Sequence, residues 1–120
     1  MSRFHDRIHP AVQSELDAAA REEELGNAQA AFRHLQHAHV LGQMSTLLHV
    51  RVHWLMLRWA LRHRRPREVL GQLTRLVGAA TKTALGWVPQ GNTGGSDVSP
   101  FRRMPVEAEL QRQIDAARRH

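Results

Sequence analysis

The hydrophobic pattern predicts helices along most of the chain. Between Pro10 and Leu25, the apolar residues Ala11, Leu16, Ala19, Ala20 and Leu25 recur at helical spacing, against an outer face of Glu15, Arg21, Glu22 and Glu23. Gly26-Asn27 breaks that run. A second helix is expected over Ala28–Leu41, with Ala28, Phe32 and Leu35 inward. A third spans Ser45–His63, with Val52, Met56, Leu57 and Ala60 inward. Its solvent face is marked by Arg51, Arg58 and Arg62, which fall within about 40° of one another at 100° per residue. A fourth runs from Pro66 to about Leu85; Leu70, Leu73, Val77, Ala80 and Ala84 form its inner stripe, and Glu68, Arg75 and Lys82 its outer one. A short terminal helix begins near Val106, anchored by Leu110 and Ile114. Residues 1–9 are expected to be irregular.

Punctuation agrees with these boundaries. Gly42 suits the C′ position that ends the second helix, Ser45 the N-cap of the third and Pro66 the first position of the fourth. From Gly86 to Pro105 the helical period vanishes, and GWVPQGNTGGSDVSPFRRMP holds four glycines and three prolines. About twenty residues without regular structure is long for a small domain, and such loops tend to be functional or disordered. Trp87, Val88, Val98 and Phe101 argue for an ordered loop packed on the helices. The expected fold is therefore all-α: one domain over 1–120, with four main helices as two antiparallel hairpins, an ordered loop at 86–105 and a short C-terminal helix. The first two helices have the helix–turn–helix flavour of a tetratricopeptide unit, but no second copy follows at a fixed period, so no solenoid is expected.

Histidines then change the picture. His49 and His53 are four apart and stack on the side of their helix opposite the arginine stripe. His39 continues the line of Ala28, Phe32 and Leu35, whereas His37 points the other way. In a hairpin, His39 and His49 lie about 5 and 6 Å from the turn along their helix axes, so they can face each other with His53 one turn deeper. Three inward imidazoles suit zinc or another divalent transition metal, or an acid/base cluster. The competing explanation is a hydrogen-bonded core cluster with no ligand. Val50 follows His49, so the HExxH pattern of zincin-type proteases is absent. Asp97 and Asn92 are the loop groups best able to complete a metal site or orient an imidazole. Gly91-Asn92-Thr93-Gly94-Gly95 also offers a backbone anion nest, a weak signal without a strand-to-helix context or Walker lysine.

Composition narrows the classes. The chain has 120 residues and no cysteine, which excludes disulfides and thiolate ligands. The formal charge is +6, with Lys82 the single lysine. The compact basic run Arg62-His63-Arg64-Arg65-Pro66-Arg67 would suit nucleic acid, but few aromatics alternate with it, which argues against that partner. MSRFHDRIHP has no apolar core for a signal peptide, and no apolar stretch is long enough to span a bilayer, so a cytoplasmic protein without membrane contact is expected.

Four short stretches carry a resemblance. His39-Val40-Leu41-Gly42-Gln43, His49-Val50-Arg51-Val52-His53-Trp54, Gly71-Gln72 and Gly91-Asn92-Thr93-Gly94-Gly95 resemble a family of small bacterial proteins of unknown function marked by AHVLGQ and GNTGG motifs. The resemblance covers nearly the whole chain and implies no activity, cofactor or substrate. Its motif residues coincide with the inward histidines and the glycine loop, which favours one shared site. The functional expectation is a divalent-metal site, zinc foremost, held by His39, His49 and His53, with Asp97, Asn92 or water as a further ligand. An open position would permit hydrolysis by a metal-activated water. Its partner would be a small molecule or a protein. The alternatives are a non-catalytic helical interaction module with structural histidines, and a nucleic-acid binder using the basic turn.

Overall fold

In the computed structural model, which describes residues 3–84, 93–95 and 104–119, five helices follow one another. They are α1 (Arg3–Glu24), α2 (Ala28–Gly42), α3 (Thr46–Arg62), α4 (Pro66–Ala84) and α5 (Ala108–Arg118). No strand occurs among the described residues. The main packing is α1 on α2 and α3 on α4, the two hairpins expected, joined through α2 against α3. Leu110, Ile114 and Ala117 bring α5 onto α1 and α2.

The first helix starts earlier than its Pro10 suggested. His5, Ile8, Val12, Leu16 and Ala19 are all buried, at steps of three and four residues. That stripe carries the helix back to Arg3 through residues expected to be irregular. Pro10 is tolerated because it sits on the exposed side, where water can satisfy the carbonyl that loses its partner. At the other end, Gly26 has φ +79°. Asn27 N–H reaches Glu22 C=O at 2.8 Å and Gly26 N–H reaches Glu23 C=O at 3.0 Å, the Schellman pairing. Leu25 falls past the last helical turn and is exposed rather than apolar-face.

The α2–α3 corner is built by small and capping residues. Gly42 is the last residue of α2 and does not adopt positive φ, so its role is not that of a C′ glycine. It is needed for close approach: a Cβ there would meet Leu48 Cβ at 3.1 Å and Val12 Cγ2 at 3.3 Å. Ser45 is the N-cap of α3, and its Oγ accepts from Leu48 N–H. The same Oγ lies 2.5 Å from His5 Nδ1, so the hydroxyl can donate to the imidazole while its lone pair serves the cap. Further along, Trp59 packs on Phe32 with ring centroids 4.4 Å apart, and its Nε1–H donates to Ala28 C=O at 2.9 Å. These contacts fix the register of α3 against α2.

Helix α4 reverses the expected phase. Leu70, Leu73 and Val77 are exposed, while Gln72 and Ala79 are buried; the side chains of Ala80, Ala84 and Lys82 lie outside the described residues. The reason is that α4 packs on α3 and on no other helix. Its inward surface combines Val69 and Ala79 with the hydrogen-bonded, fully buried Gln72. Burial of a polar group is stable when each of its atoms is paired. Of the 86–105 segment, only residues 93–95, 104 and 105 are described, so the expected packing of Trp87, Val88, Val98 and Phe101 lies outside the described residues. No described helix is long and apolar enough to cross a membrane.

Candidate metal centre

His39 sits in the last turn of α2, His49 in the first turn of α3 and His53 one turn further on. All three are buried, at 3 %, 5 % and 2 % exposure, whereas His37 and His63 keep about a quarter of their side chains in solvent. His39, His49 and His53 thus face inward, as helix phase predicts. Their ring centroids form a nearly equilateral triangle with sides of 4.8, 4.7 and 4.9 Å. The Nε2 atoms point at one another: His39 Nε2 is 3.1 Å from His49 Nε2 and 3.1 Å from His53 Nε2.

Proton bookkeeping limits what hydrogen bonds alone can do here. Each N···N pair needs one proton, and a single His39 N–H can serve only one of its two neighbours at a time. The tautomer of His53 is fixed by Gln72, whose Oε1 lies 2.5 Å from His53 Nδ1. The amide orientation follows from its other end. Gln72 Nε2 faces two acceptors, Glu68 Oε2 at 2.6 Å and Gly94 C=O at 2.9 Å, so it must be the nitrogen. His53 Nδ1 therefore carries the proton, and the Nε2 lone pair faces the centre of the triad. That is the form in which imidazole binds a metal, with an outer partner on the second nitrogen.

Spacing fits a small cation. An ion about 2.0–2.1 Å from both atoms of a 3.1 Å pair would subtend about 100°, between the octahedral value of about 90° and the tetrahedral value of about 109°. Three imidazoles are also the protein donor set of some catalytic zinc sites, where water or substrate takes the fourth position.

The glycine loop reaches the site through its backbone. Gly94 is buried, has φ +81°, and packs so closely that a Cβ would stand 2.6 Å from His39 Cδ2. Its carbonyl accepts from Gln72, so one glycine braces His39 and the His53 relay together. Asn92 and Asp97, the two loop ligands expected from sequence, lie outside the described residues. Substituting Gly94 by Ala should destabilise the fold by about 2–4 kcal/mol, adding ring displacement to the left-handed backbone cost. Gly26→Ala is the control, with similar φ but nothing within 4 Å, and should cost only about 1 kcal/mol. Paired thermal melts of the two variants check the difference.

Gln72, Glu68 and Gly94 are the site residues whose roles the sequence did not reveal. Gly71-Gln72 is among the stretches that carry the family resemblance, but the leucine stripe of α4, exposed in the fold, points by periodicity to the opposite face. A second histidine group is different in kind. Glu15 Oε1 lies 3.0 Å from both His34 Nδ1 and His37 Nδ1, and His37 Nε2 is 3.6 Å from Glu107 Oε1. There a carboxylate faces the imidazoles, so ordinary hydrogen bonds account for the cluster.

The fold and site define a small helical-hairpin protein with a buried histidine triad at the junction of its second and third helices. Over residues 6–114 the chain matches the family described as Protein of unknown function (DUF3703), and it belongs to that family. No match was found among curated proteins or among solved structures.

Proposed function

We propose that this protein binds a divalent transition metal, zinc foremost, through the Nε2 atoms of His39, His49 and His53. The observation that carries the reading is the convergence of three buried Nε2 atoms, with both His39 pairs at 3.1 Å. Support comes from the His53 tautomer imposed by Gln72, which turns a lone pair toward the ion. Asn92, Asp97 or a water supplies the remaining coordination in this reading. A water held there would be acidified toward a pKa of about 7, which is the basis of metal-assisted hydrolysis. Zinc, nickel and copper share these ligands, so the reading rests on the class rather than one element.

Metal analysis of tag-free protein tests it: about one bound ion per chain is expected. Protons compete with the metal for imidazole, so zinc affinity should be greatest where the three imidazoles are neutral and weaken as the solution is acidified. Titration of zinc at a series of pH values checks that sign.

A second reading, a helical interaction module with structural histidines, draws on the exposed Leu70, Leu73 and Val77 of α4. Metal-free protein with an unchanged melting temperature in added zinc would favour it. The nucleic-acid reading loses ground because Arg62 in the basic turn pairs with Glu23 at 3.3 Å.

A further inference from the structure

We propose that the cleft between α2 and the start of α4 is a binding site for a small organic anion, a phosphate or carboxylate carrying a flat apolar body. The cleft holds about 540 Å³, within the range of about 300–1,000 Å³ usual for small-molecule sites. Phe32 and Trp59 line it, both buried, with their ring planes tilted by 38° to each other. Around it stand Arg33 from α2, Arg65 from the α3–α4 turn and Arg67 from the first turn of α4. This absorbs the basic run that the metal site leaves unused.

The three arginines differ from Arg62, which lies just before them and is paired with Glu23. Among the described residues, Arg33, Arg65 and Arg67 form no ion pair. The Arg65 guanidinium lies 5.6 Å from the Trp59 ring centroid, a cation–π position that holds it at the cleft while leaving its donors free to turn outward. Pro66 opens α4 here, so the backbone N–H groups of Arg67 and Glu68 have no intrahelical acceptor and add positive potential. The one acid in the lining, Glu68, takes an N–H from Gln72. An anion among the arginines with its apolar part against Phe32 and Trp59 satisfies both halves of the cleft. Glu68 belongs to both regions, so such a ligand would sit beside the relay that reaches His53. The binding itself does not depend on the metal.

Calorimetric titration of the tag-free full chain at about 0.15 M salt tests this, with adenosine monophosphate, benzoate, inorganic phosphate and adenosine as probes. Saturable binding of the monophosphate or of benzoate is expected, about tenfold tighter than inorganic phosphate or adenosine. The first would identify a phosphate, the second a carboxylate. Arg33→Ala and Arg67→Ala should each weaken binding by about tenfold, the loss of one charge-assisted hydrogen bond. Both side chains are exposed, and an unchanged melting temperature will show that the variants fold. Arg51→Ala, on another face, should bind normally, and His49→Ala should retain the anion even where metal is lost. The proposal is overturned if neither organic anion saturates, or if both arginine variants bind as wild type. It is equally overturned if a short RNA binds through these arginines while no small anion does.

Discussion

A hundredfold excess of zinc over its dissociation constant is expected to raise the melting temperature of the wild-type protein by roughly 10 °C. The linkage is direct: an ion that binds only the folded state at that excess adds about 2.7 kcal/mol, and a domain of this size shifts by about 4 °C per kcal/mol. His49→Ala and His53→Ala should abolish the rise. His37→Ala should keep it, because that imidazole faces Glu15 and Glu107 on the outer side. The comparison must be made on the zinc-dependent increment. Loss of any buried histidine lowers stability by itself, but only loss of a ligand removes the response to metal. Differential scanning calorimetry with and without zinc reads both quantities.

Replacing Gln72 by Leu should be the most damaging change outside the triad. The side chain is fully buried and joins three groups: His53 Nδ1–H, Glu68 Oε2 and Gly94 C=O. Leu fills the volume and serves none of them. Glu68 can recover water because it is only half-buried, whereas the other two cannot. At about 1–3 kcal/mol for each buried group left unpaired, the expected loss for the two groups is about 2–6 kcal/mol. Freed from its partner, His53 can also rotate or change tautomer, and metal affinity should fall by about 10- to 100-fold. Gln72→Glu separates the two effects. It keeps an acceptor for His53 but sets a carboxylate against Glu68, so stability should fall while zinc affinity stays within about threefold of wild type. Denaturant melts and zinc titrations of the pair check this. Equal losses of affinity in both variants would show that Gln72 acts on the fold alone.

Much of the centre was legible because it lies on long helices with strong phase. The Arg51/Arg58/Arg62 stripe fixed which way His49 and His53 point, and the apolar line from Ala28 to Leu35 did the same for His39. The Ser45 cap and the start of α4 at Pro66 followed from the chemistry of helix ends. What failed did so for identifiable reasons. Hydrophobic phase places Leu70, Leu73 and Val77 of α4 inward, yet the inward stripe is Val69, Gln72 and Ala79, and periodicity cannot weigh the buried amide at its centre. Pro10 suits a helix start by sequence, although a proline on the solvent side of a helix need not break it when Ile8 and His5 are buried before it. Gly42 suits a helix-ending C′ position by sequence, but in the fold its lack of a side chain matters for space beside Leu48 and Val12. Gly94 is the converse case: both its φ and its missing Cβ are used, and only the folded position of His39 reveals the second.

The most direct test of the central claim is an anomalous difference map at the zinc edge from crystals of the tag-free protein grown with zinc. The account predicts one strong peak about 2.0–2.1 Å from Nε2 of His39, His49 and His53. An empty triad in the presence of excess zinc, or a peak only beside Glu15, His34 and His37, would contradict it.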